Sequence, residues 1–83
     1  MADMMMVDIW MHNVLNYKMK KEEYEKKFQE FSPYQNAFMY KEIRDNIIPD
    51  LKKRNFEESV IAYEEILKNL EQYADKEEIK NNQ

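Results

Sequence analysis

The sequence has no cysteine and no glycine among its 83 residues, and threonine is absent too. Without cysteine, disulfides and thiolate metal sites are excluded. Without glycine, the glycine-rich loops that cradle phosphates are excluded, and strands and tight hairpins are disfavoured because they need glycine turns and β-branched runs. Glu, Lys, Met and Leu supply much of the chain, so we predict an all-α protein with a single helical domain over residues 1–83.

The sequence also has no large excess of either charge and no long apolar run. The net charge is −4, and the acidic excess lies in residues 42–83, which hold seven bases against eleven acids. Such a chain is a poor candidate for phosphate neutralisation, so nucleic-acid binding is a minor alternative. No stretch resembles a secretory signal or a membrane span, and we expect a cytoplasmic protein. The basic residues alternate with glutamates, which favours a solvated face: Lys18, Lys20, Lys21, Lys26, Lys27, Lys52, Lys53 and Arg54.

An apolar stripe dominates the first third of the chain, with steps of three and four residues. One step is filled by the charge of Lys21. This spacing predicts one helix over about residues 3–31, capped by Asp3 and roughly 40 Å long, at a period close to that of a coiled coil. The stripe consists of Val7, Trp10, Val14, Tyr17, Tyr24, Phe28 and Phe31.

Ser32 and Pro33 mark the clearest boundary. A residue before proline avoids the helical region, and Ser32 can cap a new helix with Gln35 closing a capping box. A second helix is therefore predicted over about residues 33–48, and it either ends at Pro49 or continues past it to residue 54.

A third helix is predicted over about residues 56–76, with Asn55 as its N-cap and Glu58 completing the box. Residues 77–83 keep a single apolar side chain, Ile79, and are predicted to fray.

Residues 54–69 resemble the second helix of a tetratricopeptide repeat. The similarity lies in Phe56, Val60, Tyr63 and Leu67, with Ser59 at the position where that motif prefers a small residue. The sequence has no second copy, and such repeats need stacked neighbours. We therefore interpret the stretch as part of an ordinary helical hairpin.

Residues suited to catalysis are few. His12 is the one histidine, with Asp8 four residues before it, and no spacing supplies the further ligands or the nucleophile that a metal site or a general base needs. The two serines, Ser32 and Ser59, fit a helix cap and a helix crossing. We predict neither enzymatic activity nor a metal or cofactor.

Five of the seven methionines lie between Met4 and Met19, around the single tryptophan, Trp10. Methionine is flexible and polarisable and is common in adaptable binding surfaces, while Trp and Tyr are frequent hot-spot residues. The alternative interpretation is that these residues fill the core. As the protein-binding residues we predict Trp10, Met11, Val14, Tyr17, Tyr24, Phe28 and Phe31.

The predicted architecture is a small antiparallel three-helix arrangement: a long N-terminal helix, and a C-terminal hairpin against its first half. The overhanging stripe from residue 17 to 31 would pair with a second copy, which gives a homodimer. The predicted function is a non-enzymatic protein-interaction module, meaning a small regulator, inhibitor or adaptor. The alternative is a self-assembling structural subunit. The Lys-, Asn- and Tyr-rich composition resembles that of small accessory proteins of phages and mobile elements.

Overall fold

The structure is a computed structural model, and it describes residues 4–80. Those residues form helices and connecting turns and contain no strand, which confirms the all-α class. A π-helical turn and a 3₁₀ turn accompany the α-helices. The elements are α1 (Met4–Asn13), α2 (Lys21–Glu30), α3 (Pro33–Glu42), the π turn (Ile43–Ile47), α4 (Ile48–Lys53), α5 (Glu57–Leu70), the 3₁₀ turn (Glu71–Tyr73) and α6 (Lys76–Lys80).

The long first helix of the prediction is divided into α1 and α2. The chain leaves the helix after Asn13, and the Asn16 side chain organises the connection by accepting from the Lys18 N–H at 2.8 Å and donating to the Val14 carbonyl at 3.2 Å. Asparagine competes with helix in this way because its short amide bonds nearby backbone groups. The prediction of one helix over residues 3–31 is therefore wrong, and its proposed cap, Asp3, lies outside the described residues.

The division folds α2 back against α1. In a straight helix, Trp10 and Phe28 would lie about 27 Å apart along the axis, at 1.5 Å per residue. Their ring centroids are instead 6.2 Å apart, in an edge-to-face arrangement. The two halves of the apolar stripe therefore cover each other within one chain. The surplus surface that motivated the homodimer prediction is largely removed, and the dimer remains an untested prediction.

The boundary at Ser32 is confirmed. The Ser32 hydroxyl accepts from the Gln35 N–H at 3.1 Å, and the Gln35 side chain accepts from the Ser32 N–H at 2.8 Å. The helix that follows continues past Pro49 through the π turn. There the Ile48 N–H bonds to the Ile43 carbonyl, five residues back. Proline has no N–H and its ring crowds the carbonyl four residues before it, so a wider turn accommodates it without ending the helix.

Asn55 ends α4 and does not cap α5, which corrects the prediction. Its φ is +63°, in the left-handed region. The Asn55 N–H bonds to the Lys52 carbonyl at 3.1 Å, and the Phe56 N–H bonds to the Leu51 carbonyl at 3.0 Å. These two bonds are the Schellman pattern, in which glycine or asparagine takes the left-handed position. Phe56 then occupies the N-cap position of α5 without a side-chain hydrogen bond.

The C-terminal segment is ordered to a greater extent than predicted. Residues 76–80 form α6, which packs on α3. The Arg44 guanidinium is held by Asp45 and donates through Nη1 to the Ile79 carbonyl at 3.2 Å, and Lys41 Nζ lies 3.4 Å from Glu78 Oε1. The predicted fraying therefore does not apply to these residues, and residues 81–83 lie outside the described range.

The core is apolar except at two buried asparagines, Asn36 and Asn69. The Asn36 amide donates to the Phe28 carbonyl at 2.8 Å and to the Tyr73 carbonyl at 3.0 Å. Both carbonyls lie where a helical segment ends and internal partners run out. One fully buried side chain therefore joins the ends of α2 and of the 3₁₀ turn to α3. The core residues are Val7, Trp10, Met11, Leu15, Tyr24, Phe28, Ala37, Met39, Ile43, Ile48, Ile66, Leu70 and Ala74.

We expect Asn36→Ala to lower the free energy of unfolding by about 2–4 kcal/mol, because a buried carbonyl and a partly buried one lose their donor. Urea denaturation followed by circular dichroism measures the change. Asn36→Asp keeps the shape but not the amide donor, so it should be at least as destabilising at neutral pH. The exposed control Asn46→Ala should change stability by less than about 0.5 kcal/mol. Equal effects of the variants at 36 and 46 would contradict this account.

Asn55→Gly should leave stability unchanged or raise it, whereas Asn55→Ala should lower it by about 1 kcal/mol, because a Cβ is disfavoured at positive φ. Thermal and urea denaturation of the two variants tests this directly. An alanine variant as stable as the glycine variant would show that residue 55 does not adopt the left-handed conformation.

Candidate protein-binding surfaces

The structure places the seven predicted binding residues in two environments. Four of them are buried in the core of the chain itself: Trp10 (9% exposed), Met11 (1%), Tyr24 (4%) and Phe28 (1%). The Tyr24 hydroxyl also accepts a hydrogen bond from the buried Asn69 amide at 2.8 Å. Met11, Tyr24 and Phe28 therefore belong to the packed interior and offer no free surface to a partner, whereas Trp10 keeps a small exposed edge that lines a groove. The burial of these residues fits the core interpretation.

The other three lie at the surface or at its edge. Val14 is 45% exposed and Tyr17 is 41% exposed, both in the connection between α1 and α2. Phe31 is half-buried, and its ring lies 5.9 Å from that of Trp10, edge to face. Val14 and Phe31 belong to one surface and Tyr17 to another, so the structure does not bring the three together.

The first surface is built on the outward side of α1. We name the α1 surface as the exposed side chains of Met5, Met6, Ile9 and Val14 together with the half-buried Phe31. Met5 is 75% exposed, Met6 66% and Ile9 51%. A groove of about 280 Å³ runs along it, lined by Met6, Ile9, Trp10, Val14, Lys27 and Phe31.

The sequence of α1 explains why this helix is apolar on two sides. Seven of its ten residues are apolar, whereas one face suffices to reach the core. Val7, Trp10 and Met11 fill the core side, which leaves Met5, Met6 and Ile9 turned outward with Trp10 at the boundary. Single exposed apolar residues are ordinary, but a contiguous group beside a groove is typical of an interaction site.

The charges beside the α1 surface are few. His12 Nε2 lies 3.4 Å from Oδ1 of Asp8, its predicted neighbour, and 4.0 Å from Glu42 Oε2. His12 therefore has two carboxylates near it, one from α1 and one from α3. Lys27 lines the groove, and its Nζ lies 3.4 Å from Glu30 and 5.5 Å from the centre of the Phe31 ring. The α1 surface is therefore apolar without a marked charge of either sign.

The second surface lies around the start of α5. We name the α5 surface as Tyr17, Phe56, Val60 and Ile61 together with the glutamates beside them. Ile61 is 68% exposed and Phe56 is 49% exposed. Two grooves meet at Phe56. One of about 510 Å³ is lined by Tyr17, Phe56, Glu57, Glu58 and Ser59, and one of about 360 Å³ by Lys52, Asn55, Phe56, Glu57, Val60 and Ile61.

Shifted pKa values occur at two partly buried tyrosines and at the carboxyl of the Arg44–Asp45 ion pair. Burial raises the pKa of Tyr63, whose hydroxyl donates to the Leu15 carbonyl at 3.4 Å. Burial, followed by the charge of Glu71, raises the pKa of Tyr40. The hydrogen bond from Arg44 lowers the pKa of Asp45. Each shift has a structural cause, since these groups support packing or an ion pair.

Residues 4–80 contain neither a cluster of potential metal ligands nor a helix that could span a membrane. No three His, Asp or Glu side chains of that range are arranged to hold a metal ion. No helix within it is long and apolar enough to cross a bilayer.

Comparison with known proteins gives no relative. The chain matches no protein-family model, no curated protein and no solved structure. The resemblance of residues 54–69 to a tetratricopeptide helix is therefore not supported by a family match.

The predicted set of binding residues does not include the exposed apolar residues Met5, Met6, Ile9, Phe56 and Ile61. A signal for the first three is present in the sequence: α1 has more apolar residues than one buried face can use. A signal for Ile61 is its position between two pairs of glutamates. The prediction relied on periodicity, which identifies the stripe shared by α1 and α2. Regular spacing of this kind is typical of residues that face the core.

Phe28→Ala should cost about 3–5 kcal/mol of stability, because it empties a fully buried aromatic site. Ile9→Ala on the α1 surface should cost less than about 0.5 kcal/mol. Urea denaturation of both variants separates core from surface. A neutral Phe28→Ala, or an Ile9→Ala that destabilises equally, would contradict the placement of these residues.

Proposed function

We propose that this protein is a non-enzymatic protein-interaction module that binds a larger protein through the α1 surface. The observation that supports this most directly is the contiguous exposure of Met5, Met6 and Ile9 beside a groove with Trp10 at its edge. Adaptable methionines around an aromatic residue suit a surface that accepts an apolar helix or side chain. The function is that of a small regulator, inhibitor or adaptor.

A self-assembling subunit is the second candidate. The α1 surface has few charges, so two copies related by a two-fold axis would meet there without like-charge repulsion. The exposed apolar α1 surface favours this candidate as well. An interaction module would cover that surface with a different protein, whereas a self-assembling subunit would cover it with a second copy of the same chain. The oligomeric state in solution separates them.

Molar mass from light scattering over a roughly tenfold range of concentration tests self-assembly. If the α1 surface binds a larger protein and not a second copy, the chain should be a monomer at every concentration. A dimer that Met5→Ser with Ile9→Ser converts to a monomer would instead assign the α1 surface to a second copy. Ile61→Ser is the matched control, because it removes an exposed apolar side chain from the other surface.

The single tryptophan makes partner binding measurable at the α1 surface. A protein partner that fills the groove should reduce quenching of Trp10 fluorescence by acrylamide, because water and quencher leave the groove. An immobilised chain should retain this partner from an extract of the source cell, and the purified partner should then bind with a defined stoichiometry.

The same double variant, Met5→Ser with Ile9→Ser, should weaken partner binding about tenfold or more, because hot-spot residues dominate such interfaces. Ile61→Ser should bind as the natural sequence does. Retention that the double variant leaves unchanged would overturn the proposal for this surface.

A further inference from the structure

The outward side of α5 differs in charge from the α1 surface. Ile66, Asn69 and Leu70 are the buried residues of this helix, whereas Ile61 is 68% exposed. Phe56, at the N-cap position, is 49% exposed between two grooves. Phe56, Val60 and Ile61 line one groove at the start of α5, and we call these three residues the apolar strip.

Four exposed glutamates surround Ile61, the most exposed residue of this strip. Relative to Ile61 they lie four and three residues before it and three and four residues after it, which places all four beside it on the helix. They are Glu57, Glu58, Glu64 and Glu65.

Among the partners that residues 4–80 offer, one glutamate of the four has a basic side chain within ion-pair distance. Within residues 4–80, Lys52 Nζ lies 3.9 Å from Glu64 Oε2, and the other three carboxylates have no ion-pair partner in that range. The strip is therefore an apolar anchor site inside an acidic rim.

The helix dipole accounts for only part of this arrangement. Acidic residues in a first turn are favoured by the helix dipole, which explains Glu57 and Glu58. It does not explain Glu64 and Glu65, which lie beyond the midpoint of a 14-residue helix. Nor does it explain an isoleucine left exposed at the centre of the four charges.

We infer that the α5 surface docks a basic amphipathic helix of a partner protein. An apolar residue of that helix would pack between Phe56 and Ile61, and lysines or arginines on both sides of it would reach the glutamates. A second copy in two-fold pairing would place acidic rim against acidic rim, and nucleic acid would bring further negative charge. Charge complementarity therefore selects the basic helix as the occupant.

This inference rests on the proposed protein-binding function but assigns it a second surface with its own partner chemistry. The two can fail separately, because Trp10 reports on the groove of the α1 surface. A ligand on the α5 surface should leave acrylamide quenching of Trp10 unchanged.

The probe is a synthetic helix-forming peptide as long as α5, 14 residues, with leucines along one face and lysines elsewhere. Fluorescence anisotropy of the labelled peptide should show saturable binding to the full chain. Affinity should fall steeply with added salt, since exposed charges are screened. The counterpart peptide with glutamate in place of lysine should not bind.

Two double variants with the same change in net charge locate the site. Glu58→Gln with Glu65→Gln should weaken binding about fivefold or more, because it removes two charges of the rim. Glu22→Gln with Glu77→Gln, at exposed positions on α2 and α6, should change binding by less than about twofold. Equal weakening by both pairs would show an effect of net charge alone and would overturn the inference.

Ile61→Ser tests the apolar anchor and should weaken binding about threefold or more, with helicity and denaturation midpoint unchanged. Absence of peptide binding, binding of the acidic peptide with equal affinity, or binding that protects Trp10 from acrylamide would each overturn the inference. A dimer that Ile61→Ser dissociates would overturn it as well, because the occupant would then be a second copy.

Discussion

The fold depends on the hydrogen bonds of one buried amide, that of Asn36. Three helical segments meet at this side chain, because its two N–H groups satisfy the carbonyls of Phe28, eight residues before it, and of Tyr73, 37 residues after it, while it is itself part of α3. Its Oδ1 is buried and has no hydrogen-bond partner among residues 4–80. Unsatisfied buried polar groups are costly, so the value of Asn36 lies in fixing one geometry rather than in a large net gain. Apolar packing alone would allow these short helices to slide past one another.

The Phe28 carbonyl needs an external donor because α2 ends at Glu30, two residues further on, and the Asn36 amide supplies that donor. The turn at residues 14–20 folds α2 back against α1. The turn also moves Trp10 onto Phe28, which converts an extended apolar stripe into an intramolecular contact. A stripe at helical spacing states which residues share a face. It does not state whether the face is covered by another copy or by the same chain after a turn.

Features that depend on residues close in sequence can therefore be predicted from the sequence, whereas features that depend on packing between helices cannot. The capping box at Ser32 was correct because its bonds involve residues three apart. Asn55 was misassigned because asparagine suits both an N-cap and a left-handed helix end, and the choice depends on the π turn that carries the preceding helix past Pro49. The break after Asn13 had weak signals in Asn13, Asn16 and the charge at Lys21. None of these residues forbids a helix, so packing decided the outcome.

The same reasoning explains why the accessible apolar residues could not be identified from spacing. A buried stripe and an exposed stripe have the same periodicity, so spacing does not distinguish them. In this protein the number of apolar residues distinguishes them, because α1 is apolar on two sides and only one side can face the core. The two exposed surfaces differ in chemistry, since Met5, Met6 and Ile9 lie among few charges whereas Ile61 lies among four carboxylates. An uncharged patch discriminates little between partners, while an acidic rim rejects every partner that does not supply positive charge. If partners bound the α1 surface and the α5 surface at the same time, this protein would link a partner with an apolar binding face to a partner with a basic helix. An adaptor protein links two partners in this way.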